Sequence, residues 1–136
     1  MRKIALEEHF TTPELAKKYV ARPTQSDSLF ADVERRLADF DELRLETMDK
    51  AAIDVMVLSV TTPGVQGEPD AGTAVRLARN ANDFLAREVQ RRPDRYAGFA
   101  HLAMQDAAAA AAELERSVKD LGFKGALING QTNGHY

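Results

Sequence analysis

Apolar and polar positions come in blocks along this chain, and the period changes from block to block. Residues 3–8, with Ile4, Ala5 and Leu6 in succession, read as a short strand. Residues 11–30 are mixed, with Pro13, Pro23 and a polar stretch at 24–28, and predict a long excursion containing one helical turn over 14–19. Over 29–50, apolar residues recur at 30, 33, 37, 40, 43, 45 and 48, a spacing of mostly three or four that predicts a helix with a charged outer face. Residues 53–60 are rich in β-branched side chains and almost continuously apolar, as in a strand covered on both faces. The next nine residues hold Pro63, Gly64, Gly67 and Pro69 and read as a loop. Asp70 is placed to cap a helix running to about residue 92, with Ala74, Leu77, Ala78, Ala81, Leu85 and Val89 inward and Pro93 ending it. A third strand is expected over 96–102. Asp106 opens a further helix over 107–121, where the alanine run 107–112 needs only alanine's helix propensity, and Gly122 closes it. The fourth strand is expected over 124–129, before a polar loop to Tyr136.

The order is therefore β-loop-α-β-α-β-α-β, which calls for parallel strands and right-handed crossovers. An open doubly wound sheet and part of a (β/α) barrel both satisfy it. The first strand-to-helix turn has no glycine fingerprint and no Walker sequence occurs, so nucleotide binding is unsupported.

Composition narrows the classes further. The 136 residues are 44% hydrophobic, enough for one globular unit with its own core. A net charge of −3, with only the pairs Arg35-Arg36 and Arg91-Arg92 as basic clusters, argues against a nucleic-acid partner. The lack of cysteine excludes disulfides, zinc ribbons and thiol nucleophiles, and accords with a reducing cytoplasm. Only three apolar residues separate Lys3 from Glu7, too few for a signal peptide, and no stretch approaches a membrane-spanning length. The expectation is a soluble cytoplasmic α/β protein without a membrane or nucleic-acid partner.

Glu7 and His9 stand two positions apart in the first strand, so their side chains share a face. A carboxylate and an imidazole converging there suit Zn²⁺ or Mn²⁺. The C-terminal end of a barrel strand is also where active sites lie. Glu8 points the other way and reads as structural or solvent-facing.

The run Ala5-Leu6-Glu7-Glu8-His9-Phe10 is followed by Arg44 with Met48-Asp49, by Leu58-Ser59, and by Thr62-Pro63-Gly64-Val65-Gln66. Ala81-Asn82-Asp83, Arg92-Pro93-Asp94-Arg95, Gln105-Asp106, Leu121-Gly122-Phe123-Lys124-Gly125 and Asn129-Gly130 come next in order. Together these segments resemble the N-terminal part of the metal-dependent aromatic-acid decarboxylases of the amidohydrolase superfamily, the branch of γ-resorcylate, 2,3-dihydroxybenzoate and 5-carboxyvanillate decarboxylases. The resemblance covers essentially the whole chain. It implies a (β/α)₈ barrel, with residues 1–136 as its first four βα units and the N-terminal part of a single metal-dependent domain. It also implies one divalent metal, Zn²⁺ or Mn²⁺, bound through Glu7 and His9, with a histidine of the fifth strand and an aspartate of the eighth completing the ligands beyond Tyr136. The implied reaction is non-oxidative decarboxylation of a hydroxylated benzoate, in which that aspartate protonates the ring carbon bearing the carboxylate. No catalytic residue then lies in this chain.

On this resemblance Asn129, Ser59 and Thr62, at C-terminal strand ends, become candidates to line the substrate pocket. Asn129 leads, because it ends the fourth strand where the loop begins. For Ser59 and Thr62, capping or turn hydrogen bonds explain the residue as well. Phe10 is a packing residue or a pocket wall. His101 reads as satisfied by local hydrogen bonds and His135 as exposed, while Lys17, Lys18, Arg22, Arg35 and Arg36 read as solvated. The full-length form implied is a homo-oligomer acting on a small aromatic acid. A whole barrel takes about 250 residues, so the chain reads as the first half of an enzyme, inactive by itself. Two rivals remain: a lactonase-like hydrolase, which His-x-His in place of Glu7-x-His9 would favour, and a non-catalytic half-barrel that pairs with a second chain.

Overall fold

Three parallel strands, β1 (Ile4–Phe10), β2 (Val55–Val60) and β3 (Tyr96–Gly98), lie side by side in chain order. This computed structural model describes residues 1–19 and 28–135. The helices are α1 (Pro13–Tyr19), α2 (Ser28–Ala38), α3 (Glu42–Lys50), α4 (Ala71–Arg91) and α5 (Ala107–Lys119), with a 3₁₀ turn at Gly64–Gly67. The expected excursion after the first strand falls outside the described residues from 20 to 27. No helix among the described residues is long and apolar enough to cross a membrane.

Every residue of β2 is buried, as its unbroken apolar run requires. The fourth extended segment follows the same parallel path beside β3. Lys124 N–H donates to Gly98 O, Ala100 N–H to Gly125 O and Leu127 N–H to Ala100 O, at 2.9, 2.8 and 3.2 Å. Regular pairing shrinks to one bridge, Ala100 with Ala126, because Gly125 sits at φ 149°, a conformation outside the strand range of an L-residue. The fourth strand expected over 124–129 is thus a parallel path with a single bridge.

The single helix expected over 29–50 is two, α2 and α3. The break falls at Asp39-Phe40-Asp41, where each residue is captured by something other than a helical turn. Phe40 turns inward among Phe10, Phe84 and Tyr96, with ring centroids 5.6, 5.6 and 6.0 Å away. Its carbonyl accepts the Tyr96 hydroxyl at 2.6 Å. Asp39 Oδ1 accepts Arg44 N–H in the first turn of α3, and the Asp41 carboxylate pairs with Arg91 and Arg92 at the end of α4. The other helices begin and end as their sequences dictate. Asp70 Oδ1 caps Thr73 N–H at 2.8 Å and Asp106 Oδ1 caps Ala109 N–H at 2.9 Å. Gly122, at φ 74°, lets Phe123 N–H reach back to Ser117 O at the end of α5.

Arg44 is a charged residue inside this core, 8% exposed. Its guanidinium lies 5.3 Å from the Phe40 ring centre. Nε donates to Asp39 O at 2.8 Å, and Nη2 to His9 O at 2.9 Å and Arg36 O at 3.1 Å. One side chain thereby ties the end of α2, the α2–α3 turn and the end of β1. Burial lowers its pKa, opposed in part by Glu8 and Asp39 nearby.

Candidate metal centre at the end of the first strand

The pairing of β1 with β2 slips by one residue before the candidate ligands. Ala5 pairs with Met56, but Glu8 pairs with Leu58, so β1 holds one residue more than β2 over this interval, at Leu6-Glu7. Partners in a parallel ladder face the same side. Beyond the bulge Glu8 and Phe10 share a face with Leu58 and Val60, and this face meets the helices: Phe10 touches Phe40 and Phe84, and Glu8 lines a cavity with Leu43, Arg44 and Thr47. Glu7 and His9 alternate with them, and His9 is paired with Ser59 on the opposite face. In an unslipped register Glu7 would pair with Leu58, and both candidate ligands would point into the helices. The bulge turns them the other way.

His9 Nδ1 lies 3.0 Å from Ser59 Oγ, and Ser59 is 1% exposed. Nε2 has no partner among the described residues. Glu7 is exposed and makes no hydrogen bond or ion pair with them. A carboxylate and an imidazole two residues apart on one face of the strand, with Glu7 and His9 Nε2 unpartnered among the described residues, are donor types suited to a divalent cation of borderline hardness. Among the described residues no third His, Asp, Glu or Cys joins them in a cluster of metal-ligating size.

The loop after β2 is sewn to the ends of β3 and the fourth segment. Gln66 Nε2 donates to Asn129 O at 2.9 Å, and Gln66 Oε1 accepts Asn129 N–H at 3.0 Å. Gln105 Nε2 donates to Val65 O and Glu68 O at 2.6 and 2.8 Å. Lys18 of α1 pairs with the buried Glu68 carboxylate in the same loop. Asn129 is half-buried, and its Nδ2 is shielded from water without an acceptor among the described residues. Thr62 is exposed, Phe10 belongs to the aromatic cluster under the helices, and His135 is exposed. Of the sequence-derived candidates the structure brings Glu7, His9 and Ser59 onto one face, and sets Phe10 on the other.

His101 is held locally. It is 1% exposed, its Nε2 accepts Val65 N–H at 2.8 Å, and the Asn82 side chain brackets its backbone at 2.9 and 2.8 Å. Burial pushes its pKa down from 6.5 to about 4. The imidazole is neutral in the fold, while the unfolded chain takes up a proton below pH 6.5. The contribution to stability is therefore complete above pH 6.5 and lost as pH falls toward 4, about 2 kcal/mol of it by pH 5. Urea unfolding at pH 7 and pH 5 should show that loss, and His101→Gln should remove it. Equal pH dependence in the two proteins would overturn the assignment.

The sequence reading gave Arg44 and Gln66 no role of their own. Arg44 lies four residues after Phe40 and four before Met48, on the buried stripe of α3, and that spacing was the available signal. Gln66, between Gly64 and Gly67, offered none.

The amidohydrolase family model matches residues 8–136. The γ-resorcylate decarboxylase of Rhizobium radiobacter is 46% identical over 128 residues, covering 94% of this chain and 38% of that protein. A crystal structure of a dihydroxybenzoic acid decarboxylase from Polaromonas sp. JS666, with bound manganese and the inhibitor 2-nitroresorcinol, is similar with a TM-score of 0.86 and 47% identity over 95% of this chain and 38% of that one. The 5-carboxyvanillate decarboxylase of Novosphingobium aromaticivorans, complexed with manganese and 4-hydroxy-3-methoxy-5-nitrobenzoic acid, gives a TM-score of 0.92 and 36% identity over 99% of this chain and 43% of that one. The chain thus spans about two fifths of the length of these relatives.

Proposed function

We propose, since this chain belongs to the amidohydrolase family, that the full-length protein is a divalent-metal-dependent carboxy-lyase acting on a hydroxylated benzoate. Residues 1–136 form the N-terminal part of its barrel domain. The observation that carries the reading is the Glu7/His9 pair, turned by the β1 bulge onto the face away from the helices, with the Glu7 carboxylate and His9 Nε2 unpartnered among the described residues. The names of the relatives, decarboxylases of γ-resorcylate, dihydroxybenzoic acid and 5-carboxyvanillate, support this substrate class.

In this reading Glu7 contributes an anionic oxygen and His9 a neutral ring nitrogen. Arg44 Nη2 donates to the His9 carbonyl and ties the end of β1 to the α2–α3 turn. Asn129, whose Nδ2 has no acceptor among the described residues, is the residue we assign to the substrate from the end of the fourth segment. A bound divalent cation would supply Lewis-acid charge stabilisation and fix the ring's orientation. The reaction breaks the bond between ring carbon and carboxylate; the electron pair stays on the ring, a proton takes the vacated position, and CO₂ leaves. The cation is manganese or zinc, both suited to these donors, and the manganese bound in the relatives' crystal structures favours the first. The protein works in the cytoplasm as a homo-oligomer.

The test is full-length protein, stripped with chelator and reloaded with Mn²⁺, incubated with 2,6-dihydroxybenzoate. CO₂ release that is lost on stripping and restored by Mn²⁺ is the expected result. Metal-independent release, or lactone hydrolysis without any CO₂, would replace this reading.

A further inference from the structure

We infer that Ser59 is a positioning residue for His9: its hydroxyl accepts the His9 Nδ1–H and so holds the ring in the tautomer whose Nε2 lone pair faces the metal. The inference rests on the reading of His9 as a ligand. Three observations support it. The Nδ1–Oγ separation is 3.0 Å, within hydrogen-bond range. Ser59 is 1% exposed, so water does not compete for that oxygen. It is also the polar residue in a strand otherwise made of Val, Met and Leu, where a buried hydroxyl is retained only with a partner.

The backbone of His9 is fixed separately, by pairing to Ser59 in the ladder and by Arg44 Nη2 on its carbonyl at 2.9 Å. What the backbone leaves open is the rotation of the ring and the choice of nitrogen that carries the proton. A neutral imidazole protonated at Nε2 cannot ligate through that atom. With Ser59 as acceptor the proton sits on Nδ1, and no tautomer exchange is needed when metal arrives. Ser59 is then a residue that acts through His9, without touching the substrate itself.

The experiment uses full-length protein with ¹⁵N-labelled histidine, stripped of metal, and assigns the His9 signals by comparison with His9→Asn. Wild type is expected to show the Nδ1–H tautomer, and Ser59→Ala a mixture of the two. Titration with Mn²⁺ should show about tenfold weaker binding or more for Ser59→Ala, with Ser59→Thr, which keeps the hydroxyl, recovering most of it. An Nε2–H tautomer in the wild type, or a Ser59→Ala protein unchanged in both tautomer and Mn²⁺ affinity, would overturn the inference. Unaltered Mn²⁺ affinity in His9→Asn would instead sink the metal reading, and the tautomer of the stripped wild type separates the two failures.

Discussion

Gly64→Ala is expected to destabilise the protein by about 3 kcal/mol or more, the largest loss from any single added methyl group in the loop after β2. Two costs add at this position. The backbone sits at φ 54°, in the left-handed region, where an alanine costs about 1 kcal/mol relative to glycine. The added Cβ would also lie 2.3 Å from His101 Nε2 and 2.5 Å from its Cε1, closer than atoms approach without displacement. His101 has nowhere convenient to go, because Asn82 holds its backbone on both sides. Moving the ring breaks its bond to Val65 N–H, and leaving that buried donor unpaired costs about 1–3 kcal/mol more. Gly67→Ala is the matched control. Its Cβ would meet Pro63 at 3.7 Å, ordinary contact, so it should stay within about 1 kcal/mol of wild type. Equal denaturation midpoints for the two variants would mean that His101 does not pin the loop.

The elements read correctly from sequence are those whose local signals agree with one another. In α4 the cap at Asp70, the inward stripe of Ala74, Leu77, Ala78, Ala81 and Leu85, and the stop at Pro93 all describe one helix, and the structure has it from Ala71 to Arg91. β2 was legible for the same reason. Where the reading failed, a distant partner decided the outcome. The apolar spacing across 29–50 is continuous, yet Phe40 is drawn out of helical geometry by Phe10, Phe84 and Tyr96, which come from other elements. The β1 bulge was equally invisible. Simple alternation puts Glu7 and His9 on one face in either register, but which face follows only from the pairing with β2. Sequence alone offers Ser59 as a pocket residue or a turn hydrogen-bonder, because its nearness to the His9 ring depends on that same register.

Glu7→Gln should weaken Mn²⁺ binding by about 100-fold or more and abolish decarboxylation at ordinary metal concentration. Outer-shell partners of ligands are already worth about 10–100-fold in affinity, and an anionic oxygen that ligates directly is worth at least the upper figure. The metal-free protein should unfold at the wild-type midpoint, since Glu7 is exposed and makes no hydrogen bond or ion pair among the described residues. Loss of metal without loss of fold is what separates a ligand from a structural carboxylate. Glu8→Gln is the informative companion. Glu8 faces the helices near Arg44, so its change should lower stability by about 1 kcal/mol or less and leave Mn²⁺ affinity intact. These two adjacent glutamates therefore report the register of β1 directly. If Glu8→Gln lost the metal and Glu7→Gln kept it, β1 would run without its extra residue, and the metal centre would have to be rebuilt around the other carboxylate.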